Sequence, residues 1–366
     1  MSLMRMVGTR SAENRLLFDI LPRVSRSFYL SVRILPTALR RPIGLAYLFC
    51  RAADTIADTR LVPRAGRLER LLEYRAAFAE QNLAICQTLA TELAPRQDNP
   101  AERTLLSSLG QCFSCLDTLD PQDQAHIRTL VLTLTQGMQM DLTLFPAEEA
   151  GRVGVLETRA DLDRYTYFVA GCVGEFWTKI SLDHVASLQY WNAEDMLARA
   201  VRFGKGLQLT NILRDLAQDL RIGRCYLPRT DLIALGVEPE QLCGADRLEA
   251  MQKVRPLLNE LLEVTLRHYQ EGWVYTQAIP RREWQLRLAC AWPLLIGAAT
   301  VRLLRDAPDL LDPAIRVKIP RAHLYRLLLG SVVTVWSNRA LTRQYHAVRF
   351  SNQGPDCPLP MKKRTR

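Results

Sequence analysis

GLQLTNILRDLAQDLRIGRCYLP, residues 206–228, is the stretch on which the reading of this chain turns. At ~100° per residue from Gln208, Asn211 falls at about −60°, Asp215 at about −20° and Asp219 at about +20°. Four polar side chains thus share a stripe about 80° wide, with Leu209, Leu213, Leu216 and Leu220 on other faces. A surface helix with its polar stripe in water would give a similar wheel. Two features set this one apart. The stripe holds metal- and phosphate-competent groups rather than Lys and Glu. It also runs into Arg221 and Arg224, a basic turn suited to diphosphate.

A second acidic pair lies upstream, in FCRAADTIADT, residues 49–59. Asp54 and Asp58 are four apart, so on a helix they share a face about 5–6 Å apart at Cβ. Like charges at that spacing repel, and burial worsens the repulsion. Mg²⁺ would remove the problem, since it takes hard oxygen ligands from one or two carboxylates and the rest from water and phosphates. One pair means little. With 38 acids in 366 residues, roughly four such pairs arise by chance. Glu69 and Glu73 in RLERLLEYR are an example, read as a solvated face. Two metal-binding helices facing each other would instead hold a diphosphate and stabilise it as a leaving group, so an allylic diphosphate would ionise there.

The rest of the chain reads as one all-α domain over 1–348 with a loose tail over 349–366. Strand signals are scarce, and long segments carry apolar residues at helical spacing. Breaks at Pro36, Pro42, Pro95, Pro121, Pro146, Pro228, Pro280 and Pro313 leave roughly ten to twelve helices. The net charge of +10 suits anionic ligands or an anionic membrane face. It is too diffuse, with no aromatic-basic interleaving, for a nucleic-acid binder. Nine cysteines without a secretory signal point to a reducing, cytoplasmic setting. Cys112 and Cys115 form a lone CxxC read as buried thiols, and the five histidines show no ligand spacing. The apolar run 288–301 holds Pro293 and is shorter than the ~20 residues that span a bilayer, so it reads as a buried helix. No transmembrane helix is expected, and membrane contact would be peripheral.

Taken together, the motifs resemble the squalene/phytoene synthase family, the head-to-head prenyl diphosphate condensing enzymes. SRSFYLSVRILP (25–36), RAADTIADT (51–59), YTYFVAGCVGEFW (165–177) and LQLTNILRDLAQDLRIGRCYLP (207–228) follow the family's order. CAWPLLIGAAT (290–300) and RVKIPR (316–321) are more similar to the squalene-forming branch. Ala57 within the first pair and Thr59 after it depart from members with additional acids there, and the membrane anchor of eukaryotic members has no counterpart.

The resemblance implies an isoprenoid synthase bundle around a central apolar cavity, a monomer or weak dimer. Two farnesyl diphosphates would condense through presqualene diphosphate to squalene, with Mg²⁺ and NADPH. Without reductant the product would be phytoene or dehydrosqualene. A non-catalytic assembly or scaffold protein is the third reading. Metal would be held by Asp54, Asp58, Asp215 and Asp219, which with Tyr165 form the catalytic set. Arg51, Gln208, Asn211, Arg224 and Tyr165 would bind substrate. Arg26, Arg51, Arg214, Arg316 and Lys318 would meet phosphate or the nicotinamide cofactor. No GxGxxG or P-loop occurs, so NADPH would bind outside a Rossmann fold. Gly171 and Gly174 each cost ~1 kcal/mol in a helix, which implies close approach by a bulky group or by another helix.

Overall fold

The computed structural model describes residues 13–25, 28–59, 62–145 and 152–350. Its architecture is all-α, as expected. Eight long helices carry the argument: α1 (Thr37–Asp58), α2 (Pro121–Leu144), α3 (159–184), α4 (Ala193–Arg221), α5 (Arg247–Ala278), α6 (Trp284–Asp306), α7 (Arg321–Thr334) and α8 (Asn338–Phe350). Shorter helices fill the connections. The tail expected over 349–366 overlaps α8, which runs to Phe350, and residues 351–366 lie outside the described residues.

Side-chain caps set some of the helix starts. Asp120 and Asn192 accept backbone N–H bonds at the starts of α2 and α4. Pro121 occupies the first position of α2, where its missing N–H costs nothing. Pro42 does not break the chain as expected and sits inside α1. It lies near the helix start, so only one backbone bond is lost. There are more helices than ten to twelve, because some breaks need no proline. The run 67–94 divides at Gln81, whose φ is 55°, and Asn82 then caps Leu83–Leu93.

The core falls into two apolar clusters. One gathers around α1, α2 and the neighbouring short helices, the other around α4, α5 and α6. Phe203 of α4 packs against both. α6 contains the 288–301 run and is the only helix among the described residues long and apolar enough to cross a membrane. Its most apolar window is 72% buried, so it packs as a core helix, as expected.

Helices α3 and α4 cross closely. A Cβ on Gly174 would lie 2.1 Å from the Ala200 carbonyl oxygen, and one on Gly204 would lie 2.2 Å from that of Ala170. Of the two readings of these glycines, helix-on-helix contact is the one observed. α4 ends at Arg221, and two residues on Gly223 turns the chain with a φ of 77° that suits a residue without a Cβ. The chain then pairs Arg224–Cys225 (β2) in parallel with Gly154–Val155 (β1). Alternation along β2 buries Cys225 and turns Arg224 and Tyr226 to the other side.

Candidate active site

A cavity of ≈ 650 Å³ lies where the two clusters meet. It grades along its length. On α1 the lining passes from Ile43, Ala46 and Cys50 to Asp54 and Asp58. On α2 it passes from Leu130, Leu134 and Met138 to Asp141, and on α4 from Phe203 and Leu207 to Gln208, Asn211, Asp215 and Asp219. Each helix presents apolar groups first and polar groups near its C-terminus. The cavity is therefore amphiphilic, with helix C-termini gathered at its polar part.

Both predicted aspartate pairs line this one cavity, as do Gln208, Asn211, Arg224 and Tyr165. Arg224 lies 4.0 Å from Asp58 of α1 and 3.9 Å from Asp141 of α2. Asp141 was not anticipated. It accepts hydrogen bonds from the hydroxyls of Tyr165 and Tyr226, each at 3.1 Å. The Tyr165 and Tyr226 hydroxyl oxygens lie 3.3 Å apart, so the three groups form one cluster. Asp141 did leave a signal, as a single carboxylate in the apolar segment QGMQMDLTLF. Tyr226 lay within the RIGRCYLP turn without being singled out.

The remaining expected residues lie around the cavity. Arg51 sits 3.8 Å from Asp54 and also binds Glu102. Arg214 holds Asp215, with Nε donating to Oδ1 at 2.9 Å. Arg316 and Lys318 are exposed on the chain between α6 and α7. That chain is tied to α4 by Gln218, which donates to the Pro313 carbonyl at 3.2 Å. None of these four basic residues lines the cavity, nor does the exposed Arg221. Arg26 lies outside the described residues. Cys112 and Cys115 are buried, and burial pushes both thiols up.

The polar part carries unrelieved negative charge. Burial, then repulsion by Asp58, raises Asp54 to about 7 despite Arg51. The 45% of its side chain that stays accessible opens into the cavity it lines. Burial, then Asp215, raises Asp219 to about 7 against Arg224. Burial also raises Asp141 to about 7, although Arg224 and the two tyrosine hydroxyls oppose the shift. Burial disfavours charge on Arg224, but Asp141, Tyr226 and Asp58 outweigh that and hold it protonated. Helix C-termini add partial negative charge. Carboxylate oxygens are the hard donors a divalent cation takes, and among the described residues no three such groups stand together as a ready-made metal site, so a cation bridging α1 and α4 would need further oxygens from a bound diphosphate and water. Asp54, Asp58, Asp215 and Asp219 would hold the cation.

The squalene/phytoene synthase family profile matches residues 21–323. A bifunctional lycopene cyclase/phytoene synthase of Colletotrichum graminicola is 28% identical over 286 residues, covering 75% of this chain and 44% of that protein. The squalene synthase of Eremothecium gossypii is 27% identical over 316 residues, covering 84% of this chain and 66% of that protein. The chain thus spans less than two thirds of either relative. A solved complex of TcSQS with the ligand BPH1237 shares the fold, with a TM-score of 0.71 at 24% identity over 93% of each chain.

Proposed function

The chain belongs to the squalene/phytoene synthase family, and on that premise we propose that it condenses two farnesyl diphosphates through presqualene diphosphate to squalene, with NADPH as reductant. One observation carries this reading: two aspartate pairs, Arg224 and the Tyr165–Asp141–Tyr226 cluster line one cavity whose remaining wall is largely apolar. That shape matches a charged head on a long prenyl tail. Burial of the tail, at ~0.8 kcal/mol per CH₂, supplies the binding energy that orients the chains.

In this proposal the four aspartates would hold Mg²⁺ and Arg224 would bind a diphosphate oxygen. When bound, the metal offsets charge on the departing diphosphate. The C–O bond of one substrate breaks and the diphosphate keeps the electron pair. The allylic cation is taken by the second substrate's double bond, and a proton is lost as the cyclopropane closes. Tyr165, which lines the cavity, would face the reacting carbons, and the ionised form of Asp141, whose pKa is raised to about 7, would accept that proton through the Tyr165 hydroxyl as the tyrosine passes its own proton on. The apolar walls exclude the water that would trap a cation. In the second half the remaining C–O bond would break, the second diphosphate leaving with the electron pair, and a nicotinamide, when bound, would supply the hydride that quenches the rearranged cation. Arg316 and Lys318 remain the residues proposed for it, beside α4 and outside the cavity.

The second reading, a phytoene- or dehydrosqualene-type product without reductant, is supported by the phytoene-synthase relative. Purified protein incubated with farnesyl diphosphate and Mg²⁺, with and without NADPH, separates the two. Squalene formed only with NADPH is expected. A polyene formed regardless of NADPH favours the second reading. Presqualene diphosphate persisting with NADPH removes the reductive half, and no prenyl product from either farnesyl or geranylgeranyl diphosphate under any condition overturns both.

A further inference from the structure

Helix α7 packs with its apolar side outward. Tyr325, Leu329, Val332 and Val333 are exposed along it, and Trp336 continues the patch in the following turn. At ~100° per residue the four helical positions span about 100°, a single stripe. Leu329 is 69% exposed and Val333 78%. Five of the thirteen exposed large apolar side chains among the described residues thus fall within 325–336. The inward side is mixed. Leu327 and Ser331 are buried, and the Ser331 hydroxyl accepts from Trp292 Nε1 of α6 at 2.8 Å. Gln344 of α8 donates to the Leu327 carbonyl at 2.9 Å. Leu327 and polar bonds hold the helix from within, with Leu324 and Leu328 half-buried, while Tyr325, Leu329, Val332 and Val333 face water. Clustered exposure of this kind marks an interaction surface.

The charge around the stripe selects the occupant. Residues 314–350 contain seven Lys and Arg and no Asp or Glu. Arg321 and Arg326 flank the stripe on either side, both exposed and without an ion pair among the described residues. A second copy docking this face on its own equivalent would bring like charges together. An anionic bilayer presents the opposite charge, and Tyr and Trp favour the depth of its headgroups.

We propose that the outer face of α7 is a monotopic docking surface for anionic lipid bilayers, with Tyr325, Leu329, Val332, Val333 and Trp336 entering the interface and Arg321 and Arg326 meeting headgroup phosphates. This surface is separate from the catalytic reading, and its test does not use turnover. Its placement suits an apolar product, since α6 lies beneath α7 and lines the cavity with Ala289, Cys290 and Pro293.

The test is co-sedimentation of the full chain with phosphatidylglycerol–phosphatidylcholine vesicles and with phosphatidylcholine alone. Binding to the mixed vesicles should exceed that to neutral ones by at least about tenfold. Leu329→Glu/Val333→Glu should lose about tenfold or more, and so should Arg321→Glu/Arg326→Glu, which changes only exposed side chains. Leu248→Glu, on an exposed apolar residue of α5, should bind like the parent. Absent vesicle binding, or unchanged binding in the Arg321→Glu/Arg326→Glu variant, overturns the proposal. A lipid-free dimer that Leu329→Glu/Val333→Glu converts to monomer also overturns it and assigns the face to a second copy.

Discussion

Asp141 accepts two tyrosine hydroxyls and lies beside Arg224. An amide at this position can accept from one tyrosine but offers a donor to the other. Asp141→Asn should therefore lower kcat about a hundredfold while KM changes little, because the loss falls on a proton-handling group. Steady-state kinetics with farnesyl diphosphate checks the split. Asp54→Asn and Asp215→Asn should each abolish turnover and leave the melting temperature equal or higher, since each removes a repelling charge. A near-normal rate in either variant, read beside its thermal melt, would remove the metal role of that helix. The aspartate pairs were legible in the sequence because helical periodicity places residues four apart on one face without tertiary information. Asp141 was not. Its partners Tyr165 and Tyr226 stand 24 and 85 residues away, and no local period links them. The Arg51–Asp54 pair was readable from its three-residue spacing, whereas the bond from Arg51 to Glu102 depends on packing of a distant short helix.

Between helices, the Gly174–Ala200 and Gly204–Ala170 approaches set how α3 meets α4. Gly174→Ala puts a methyl against a backbone carbonyl that cannot swing aside. It should destabilise the fold by about 1–3 kcal/mol, as overpacking does, and a urea melt would measure the shift. Sequence reasoning saw the cost of Gly174 but not which neighbour imposed it, because either contact fits a glycine in a helix, and it did not single out Gly204. Helix ends were half legible. Pro121 announced the start of its helix, while Pro42 misled because its effect depends on how far inside the helix it falls. The carboxylates gathered from α1, α2 and α4 also give a dependence on pH. In the unfolded chain these acids ionise near 4, whereas folded Asp54, Asp141 and Asp219 keep their protons to about 7. The folded chain binds more protons in that window, so stability falls as pH rises from about 4 to about 7. A divalent cation opposes the loss. Mg²⁺ should therefore raise the melting temperature more at about pH 8 than at about pH 5, and equal shifts would contradict the site.

Taken whole, the molecule sets two apolar clusters around a cavity whose polar lining comes from the C-terminal parts of three helices. The all-α class followed from helical periodicity and sparse strand signals. The cavity did not follow from any one segment. Its walls come from helices far apart in the chain, and their mutual placement is a property of packing. The short β1–β2 pair was equally hidden, since two residues leave no alternation to read, yet it turns Arg224 and Tyr226 toward the aspartates. The whole arrangement makes sense if a divalent cation joins carboxylates of α1 to those of α4 around a diphosphate. Mn²⁺ binding, followed by electron paramagnetic resonance with a non-hydrolysable farnesyl thiodiphosphate present, measures that union directly. The parent protein should bind Mn²⁺ only with the analogue or far more tightly with it, and Asp54→Asn and Asp215→Asn should each weaken binding by at least about tenfold. Mn²⁺ binding that ignores the analogue, or that survives both substitutions unchanged, would contradict it.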